Sequence, residues 1–158
     1  MKAYVLSDNG PSISDVPQPQ ATGRQVLVRS RAACLNRADL GMAKGRAHGA
    51  RGGAGSTLGG EGAGEVVAIG PDVKGIKVGD RVMGSIAGAF AEYGLMDQGR
   101  AFTIPANNMS YEQAATLPVA LNTMHNAVVT AGALKPGQTV LIQGASSGVG
   151  LMAMQIAK

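Results

Sequence analysis

Thr139-Val140-Leu141-Ile142-Gln143-Gly144-Ala145-Ser146-Ser147-Gly148-Val149-Gly150 opens the last twenty residues of the chain, and a helical run follows it to Lys158. A short apolar β-type run enters a glycine-rich turn, and the turn opens a helix. This is the layout of a dinucleotide phosphate cradle. The first N–H groups of a helix lack partners within it, and the helix dipole favours an anion there. Gly144, Gly148 and Gly150 let a backbone approach phosphates, while Ser146 and Ser147 add hydroxyl donors. Val149, Met152, Ala153 and Ile156 recur at i, i+3, i+4 and i+7 and predict a buried helix face. A plain strand-to-helix turn is the competing reading, since a glycine-rich turn alone is a weak signal. The residue that reads the ribose is expected about 20 positions further on. That position lies past Lys158, so NAD and NADP are not told apart.

Composition bounds the rest. The 158 residues suit one domain, or one and part of another. Apolar residues make up 45% but aromatics only 3%, so the core is built from Ala, Val, Leu, Ile and Met. Glycine, 24 of 158 against a usual share of about 7%, implies many turns and close backbone approaches. Fourteen basic against ten acidic side chains leave +4. With few aromatics to stack bases, nucleic acid is not an expected partner. Lys44, Arg46 and Arg51 cluster in a glycine-rich stretch that reads either as a solvated loop or as a basic rim for an anionic ligand. Cys34 is the only cysteine, which excludes an internal disulfide and a cysteine-based zinc cluster and suits a reducing cytoplasm. No run has the length of a membrane span and no secretory leader is read at Met1, so no membrane is expected.

Along the chain, residues 2–6 read as a strand, and Pro11, Pro17 and Pro19 punctuate a loop. Strands are expected over 25–33, 61–69, 89–96 and 101–104, a turn followed by a strand over 78–84, a short helix over 36–42 and a long glycine-rich loop over 41–60. Gly62 and Gly64 suggest a bulge or close packing. Short, irregular strands of this kind build a small barrel. Ser110-Tyr111-Glu112-Gln113 is a capping-box signature for a helix to Leu117, and Pro118 fits a second helix start. Leu121, Met124, Val128 and Ala131 share one face of that helix, Gly132 stops it, and Lys135-Pro136-Gly137-Gln138 forms a type II turn before the strand at Thr139.

Six ordered motifs together resemble the medium-chain dehydrogenase/reductase superfamily, most closely its zinc-independent quinone oxidoreductase-like branch. They are Cys34-Leu35-Asn36-Arg37-Ala38-Asp39, the run Leu58 to Gly64, the run Val78 to Val82, Phe90-Ala91-Glu92-Tyr93, the run Ala114 to Ala120, and the final glycine turn. The resemblance implies a mixed α+β chain: a GroES-like, β-rich irregular barrel over 1–120, then over 121–158 the first strand, turn and helix of a truncated NAD(P)-binding Rossmann domain. The family's chains are about twice as long, so this one is expected to be an N-terminal half, inactive alone.

The departures matter as much. The zinc enzymes of the family carry ligand residues at the positions of Asn36 and Gly60, and neither asparagine nor glycine is a catalytic zinc ligand. No metal is therefore expected, and Cys34 is read as a buried small hydrophobe. The loop 41–56 lacks the proline and bulky apolar residues usual there, which leaves the substrate class open. What the resemblance implies is hydride transfer from NADPH or NADH, NADPH favoured, to a quinone or α,β-unsaturated carbonyl, and a homodimer for the full-length protein. Asn36, Thr123 and His125 are the catalytic candidates. Thr123 also joins Gly144, Ala145, Ser146, Ser147, Gly148, Val149 and Gly150 as cofactor-binding candidates. Each catalytic candidate has an ordinary alternative: a loop cap for Asn36, a back-bonding helical threonine for Thr123, space filling for His125. Glu61 and Arg81 are read as a supporting pair. Two other functions compete: a stand-alone GroES-like binding or assembly module, and the enoyl-reductase segment of a synthase, against which Met1 directly before the first strand weighs.

Overall fold

The computed structural model describes residues 1–46, 48, 52–105 and 108–158. It divides into two compact units, Met1–Thr116 and Leu117–Lys158.

The first unit is a curled antiparallel sheet with a hairpin beside it. β1 (Lys2–Ser7) and β2 (Gly10–Asp15) pair as the hairpin. β3 (Gln25–Ala33), β4 (Glu61–Ile69), β5 (Arg81–Ser85), β6 (Tyr93–Asp97) and β7 (Ala101–Thr103) form a five-stranded sheet in the order β6-β3-β4-β5-β7. Val26, Val28, Val66, Val82, Ile86, Ala89 and Met96 close its core with small and branched side chains. The hairpin is tied on through Tyr4, whose N–H donates to the Phe90 carbonyl at 2.8 Å, and Leu6, whose N–H donates to Ser56 at 2.9 Å. Leu6, Met42 and Leu58 pack together beneath it and seat α1 (Arg37–Ala43). α2 (Tyr111–Ala115) lays Ala114 and Ala115 on Ala63 and Ile104. The Ser110–Gln113 capping box is formed, with the Ser110 N–H donating to the Gln113 side chain at 2.9 Å.

Boundaries at 25–33 and 61–69 fall as expected. Pro11 does not mark a loop, because it sits within β2 opposite Leu6, on a hairpin edge where a missing donor is tolerated. Segment 89–92 forms no strand, and β6 begins at Tyr93. The glycines of β4 make close approaches: a Cβ at Gly64 would overlap the Arg29 carbonyl oxygen, and one at Gly62 the Ala32 carbonyl oxygen. The β3–β4 register shifts between Ser30 and Ala32, opposite these glycines. Lys44 and Arg46 are exposed, while Arg51 and part of the glycine-rich loop lie outside the described residues.

In the second unit α3 (Pro118–His125) has proline in its first turn and continues into a π-type turn over Asn126–Ala131, and α4 (Gly148–Ala157) packs against α3. Leu121, Met124 and Val128 are half-buried on one face, whereas Ala131 is exposed. The turn at Pro136-Gly137 forms, with the Gln138 N–H donating to Lys135 at 3.1 Å and Gly137 at φ 84°. The expected strand at Thr139–Gln143 joins no ladder among the described residues; its Leu141 is 86% exposed and Val140 is exposed too. A strand needs a hydrogen-bonded neighbour, and none stands beside this one among the described residues. The expected buried face of α4 is likewise only partly covered: Ala153 is buried, Met152 and Ile156 are half-buried, and Val149 is exposed.

Two substitutions test the close contact. Gly64→Ala is expected to destabilise the first unit by about 2 kcal/mol or more. Gly41→Ala, inside α1 with open space around it, is expected to add about 0.5 kcal/mol. Urea unfolding of both variants checks the contrast.

Candidate functional site

The two halves of the expected site lie in different units. Asn36 is in the first; Thr123, His125 and the glycine turn are in the second. Thr123 and His125 are both exposed, two positions apart on α3, and at that spacing their side chains do not face each other.

Asn36 is held with care. It is the N-cap of α1, with extended backbone, and Asp39 reaches back to its N–H at 2.7 Å. Its Nδ2 donates to Glu61 Oε1 at 2.8 Å. Glu61 is 2% exposed, and its main-chain carbonyl accepts from the Cys34 N–H at 3.3 Å. Serine 85 lies opposite Glu61 in the β4–β5 register, and Ser85 Oγ donates to the Gly60 carbonyl at 3.2 Å. Asn36 is half-buried, while Leu35 before it is 80% exposed and Leu40 of α1 is exposed as well.

Two expectations change here. Cys34 is not an apolar core residue: it is half-buried beside Glu61, with Sγ 3.8 Å from the Leu35 carbonyl. Burial raises its thiol pKa first, and the negative charge and hydrogen bond of Glu61 raise it further. Nor do Glu61 and Arg81 pair. Arg81 faces Glu65 in the β4–β5 register, four residues along, about 13 Å of strand. Its guanidinium donates to the Met109 carbonyl at 2.7 Å and lies over the Tyr111 ring at 4.6 Å. Among the described residues no group of three His, Cys, Asp or Glu side chains could hold a metal ion, and Asn36, Gly60 and Cys34 do not make a zinc ligand set.

At the glycine turn each residue has a separate task. Gly144 takes φ 69°, and a Cβ on Gly150 would overlap the Gly144 carbonyl oxygen. Ser147 is the N-cap of α4: its Oγ accepts from the Gly150 N–H at 3.1 Å and donates to the Gly144 carbonyl at 2.8 Å. The Ser147 hydroxyl is therefore committed to the turn and is not a spare phosphate donor. Gly148 has nothing within 4 Å of where a Cβ would stand, so no neighbour crowds that side of the turn. Ser146 is exposed and Ala145 half-buried beside it.

The comparisons place the chain in a family. The alcohol dehydrogenase GroES-like domain family matches residues 22–106. An alcohol dehydrogenase superfamily protein from Novosphingobium aromaticivorans superposes with TM-score 0.92 at 36% identity, over 99% of this chain and 50% of that one. A mycobacterial protein solved in complex with NADPH superposes with TM-score 0.83 at 29% identity, over 98% of this chain and 49% of that one. The 2-methylene-furan-3-one reductase of Solanum lycopersicum is 32% identical over the whole of this chain and 44% of its own length. The polyketide synthase GfsB of Streptomyces halstedii is 46% identical over 64% of this chain and 2% of its own. The chain belongs to the alcohol dehydrogenase GroES-like domain family, within the medium-chain dehydrogenase/reductase superfamily of oxidoreductases. It spans about half the length of the solved relatives.

Cys34 is the chain's only thiol, so its alkylation reads this site alone. The rate of reaction with iodoacetamide follows the thiolate. Its pH midpoint is expected above that of free cysteine, and Glu61→Gln is expected to lower it while burial keeps it raised. An unchanged midpoint in that variant would separate the thiol from the carboxylate.

Proposed function

We propose that the chain supplies the GroES-like half of a zinc-independent, NAD(P)H-dependent reductase acting on a quinone or an α,β-unsaturated carbonyl. The observation that carries this is Asn36: an amide held by Asp39 and Glu61, at the position where a zinc-dependent relative would place a metal ligand. The NADPH complex and the furanone reductase among the relatives support the cofactor class and the conjugated carbonyl. When bound, the nicotinamide supplies the hydride. The protein's share is to bind, orient and exclude water.

Asn36 offers the carbonyl oxygen a hydrogen bond as charge develops on it, and Leu35 and Leu40 cover the apolar part of the ligand. In the second unit the first N–H groups of α4, at Gly148 and Val149, and the Ser146 hydroxyl are the groups for the pyrophosphate, with Gly144 and Gly150 shaping the turn. Thr123 beside the nicotinamide and His125 as a proton donor stay as candidates. We place the complete activity in a longer polypeptide, because the apolar, unpaired residues 139–143 need parallel neighbours. Domain limits of 1–120 and 121–158, a cytoplasmic location and a homodimer are further parts of this reading. A second reading, a reducing segment working within a polyketide synthase, draws on the 46% identity to GfsB and keeps the chemistry while making the substrate an acyl chain.

Titrating the 158-residue chain with NADPH is expected to give a dissociation constant weaker than about 1 µM, the −8 kcal/mol scale. Joined to the remaining part of the Novosphingobium relative, it is expected to oxidise NADPH with quinones or enones, and Asn36→Ala is expected to cut kcat/KM by about tenfold or more. A fusion that binds NADPH yet reduces no member of such a panel overturns the proposal.

A further inference from the structure

Glu61 opens β4 and lies opposite the turn that joins β3 to α1. Cys34 meets its main chain, and Asn36 meets its side chain at 2.8 Å. An ionised carboxylate only accepts, so the amide atom facing it is the nitrogen, and the two ends of the Asn36 amide are not interchangeable. Two anchors act on Asn36 from separate elements. Asp39 of α1 takes its main-chain N–H at 2.7 Å, and Glu61 of β4 takes its side chain. A bond to a charged acceptor is among the stronger single hydrogen bonds, and the burial of Glu61 keeps water from competing for it.

We propose that Glu61 is the positioning residue of the site: its buried carboxylate engages one N–H of the Asn36 amide and so fixes the amide's orientation, leaving the second N–H as the donor for a carbonyl oxygen. For its catalytic meaning this rests on the hydride-transfer reading; the orientation itself does not. The class of ligand follows from the chemistry. A fixed donor favours an oxygen that accepts and gains negative charge, as a conjugated carbonyl does. Glu61 touches the ligand only through Asn36.

The test is side-chain amide hydrogen exchange, followed by NMR on the 15N-labelled chain. The Asn36 side-chain proton that faces Glu61 is expected to exchange about tenfold more slowly than those of exposed Asn9, and its second proton at a rate close to theirs. Glu61→Met, which removes the acceptor at similar volume, is expected to abolish that protection while the backbone spectrum of β3 and β4 persists. Glu61→Gln keeps one acceptor oxygen and is expected to restore part of it. Free exchange of both Asn36 side-chain protons in the unmodified chain overturns the proposal, as does undiminished protection in a folded Glu61→Met. If Glu61→Met unfolds, the unmodified chain and Glu61→Gln decide: protection in the first and a partial loss in the second support the proposal, and Asn9-like exchange of both protons in the unmodified chain sinks it. No cofactor or turnover enters this measurement. A fusion that binds NADPH without turnover removes the hydride-transfer reading and leaves the orientation standing.

Discussion

A close approach of β4 to β3, possible only because two residues lack a Cβ, shapes the end of β3 from which the site is built. Gly64 and Gly62 of β4 lie so near the Arg29 and Ala32 carbonyls of β3 that no Cβ fits between them. Opposite that contact the β3–β4 register slips between Ser30 and Ala32. A register slip bends and twists a strand locally, and the end of β3 then turns so that the Cys34 N–H reaches the Glu61 carbonyl. Asn36 follows two residues later, within reach of the Glu61 side chain. The amide at the centre of the site thus owes its place to two missing methyl groups on the neighbouring strand.

Much of this unit was legible in the residues. Alternation in Val26 and Val28 marked β3, the glycines of β4 announced a close approach, and Ser110 with Gln113 announced α2, because each of these signals is local. Pro11 misled for the same reason: on its own it marks a break, and only its partner Leu6 makes it an edge residue. The link between Asn36 and Glu61 spans twenty-five positions and depends on the register of two strands, which no local pattern encodes. Arg81 shows the converse. Charge suggested a partner in Glu61, but the β4–β5 register set Glu65 opposite it, and a carbonyl and a tyrosine ring took the guanidinium.

The glycine turn divides in a similar way. The positive φ at Gly144 and the tight packing at Gly150 are conformational demands that glycine alone meets, and they show in the spacing. The use of Ser147 does not. A serine before a helix can cap it or face a ligand, and the hydrogen bonds to Gly144 and Gly150 decide for the cap. The run at 139–143 carried a correct apolar pattern and an incorrect structure, because a parallel strand is defined by its neighbours.

That run has a consequence for how the chain behaves in solution. Thr139 to Gln143 holds no charged residue and no proline, Val140 and Leu141 are exposed while Ile142 is half-buried, and its backbone joins no ladder among the described residues. Natural sheets guard such an edge with lysine, proline or a covering helix. Unguarded, it is a template on which identical segments of other copies can stack, and the tendency rises with concentration while the stability of the first unit stays unchanged. Exposed apolar backbone of this kind bears on association between copies of the chain separately from the stability of its first unit.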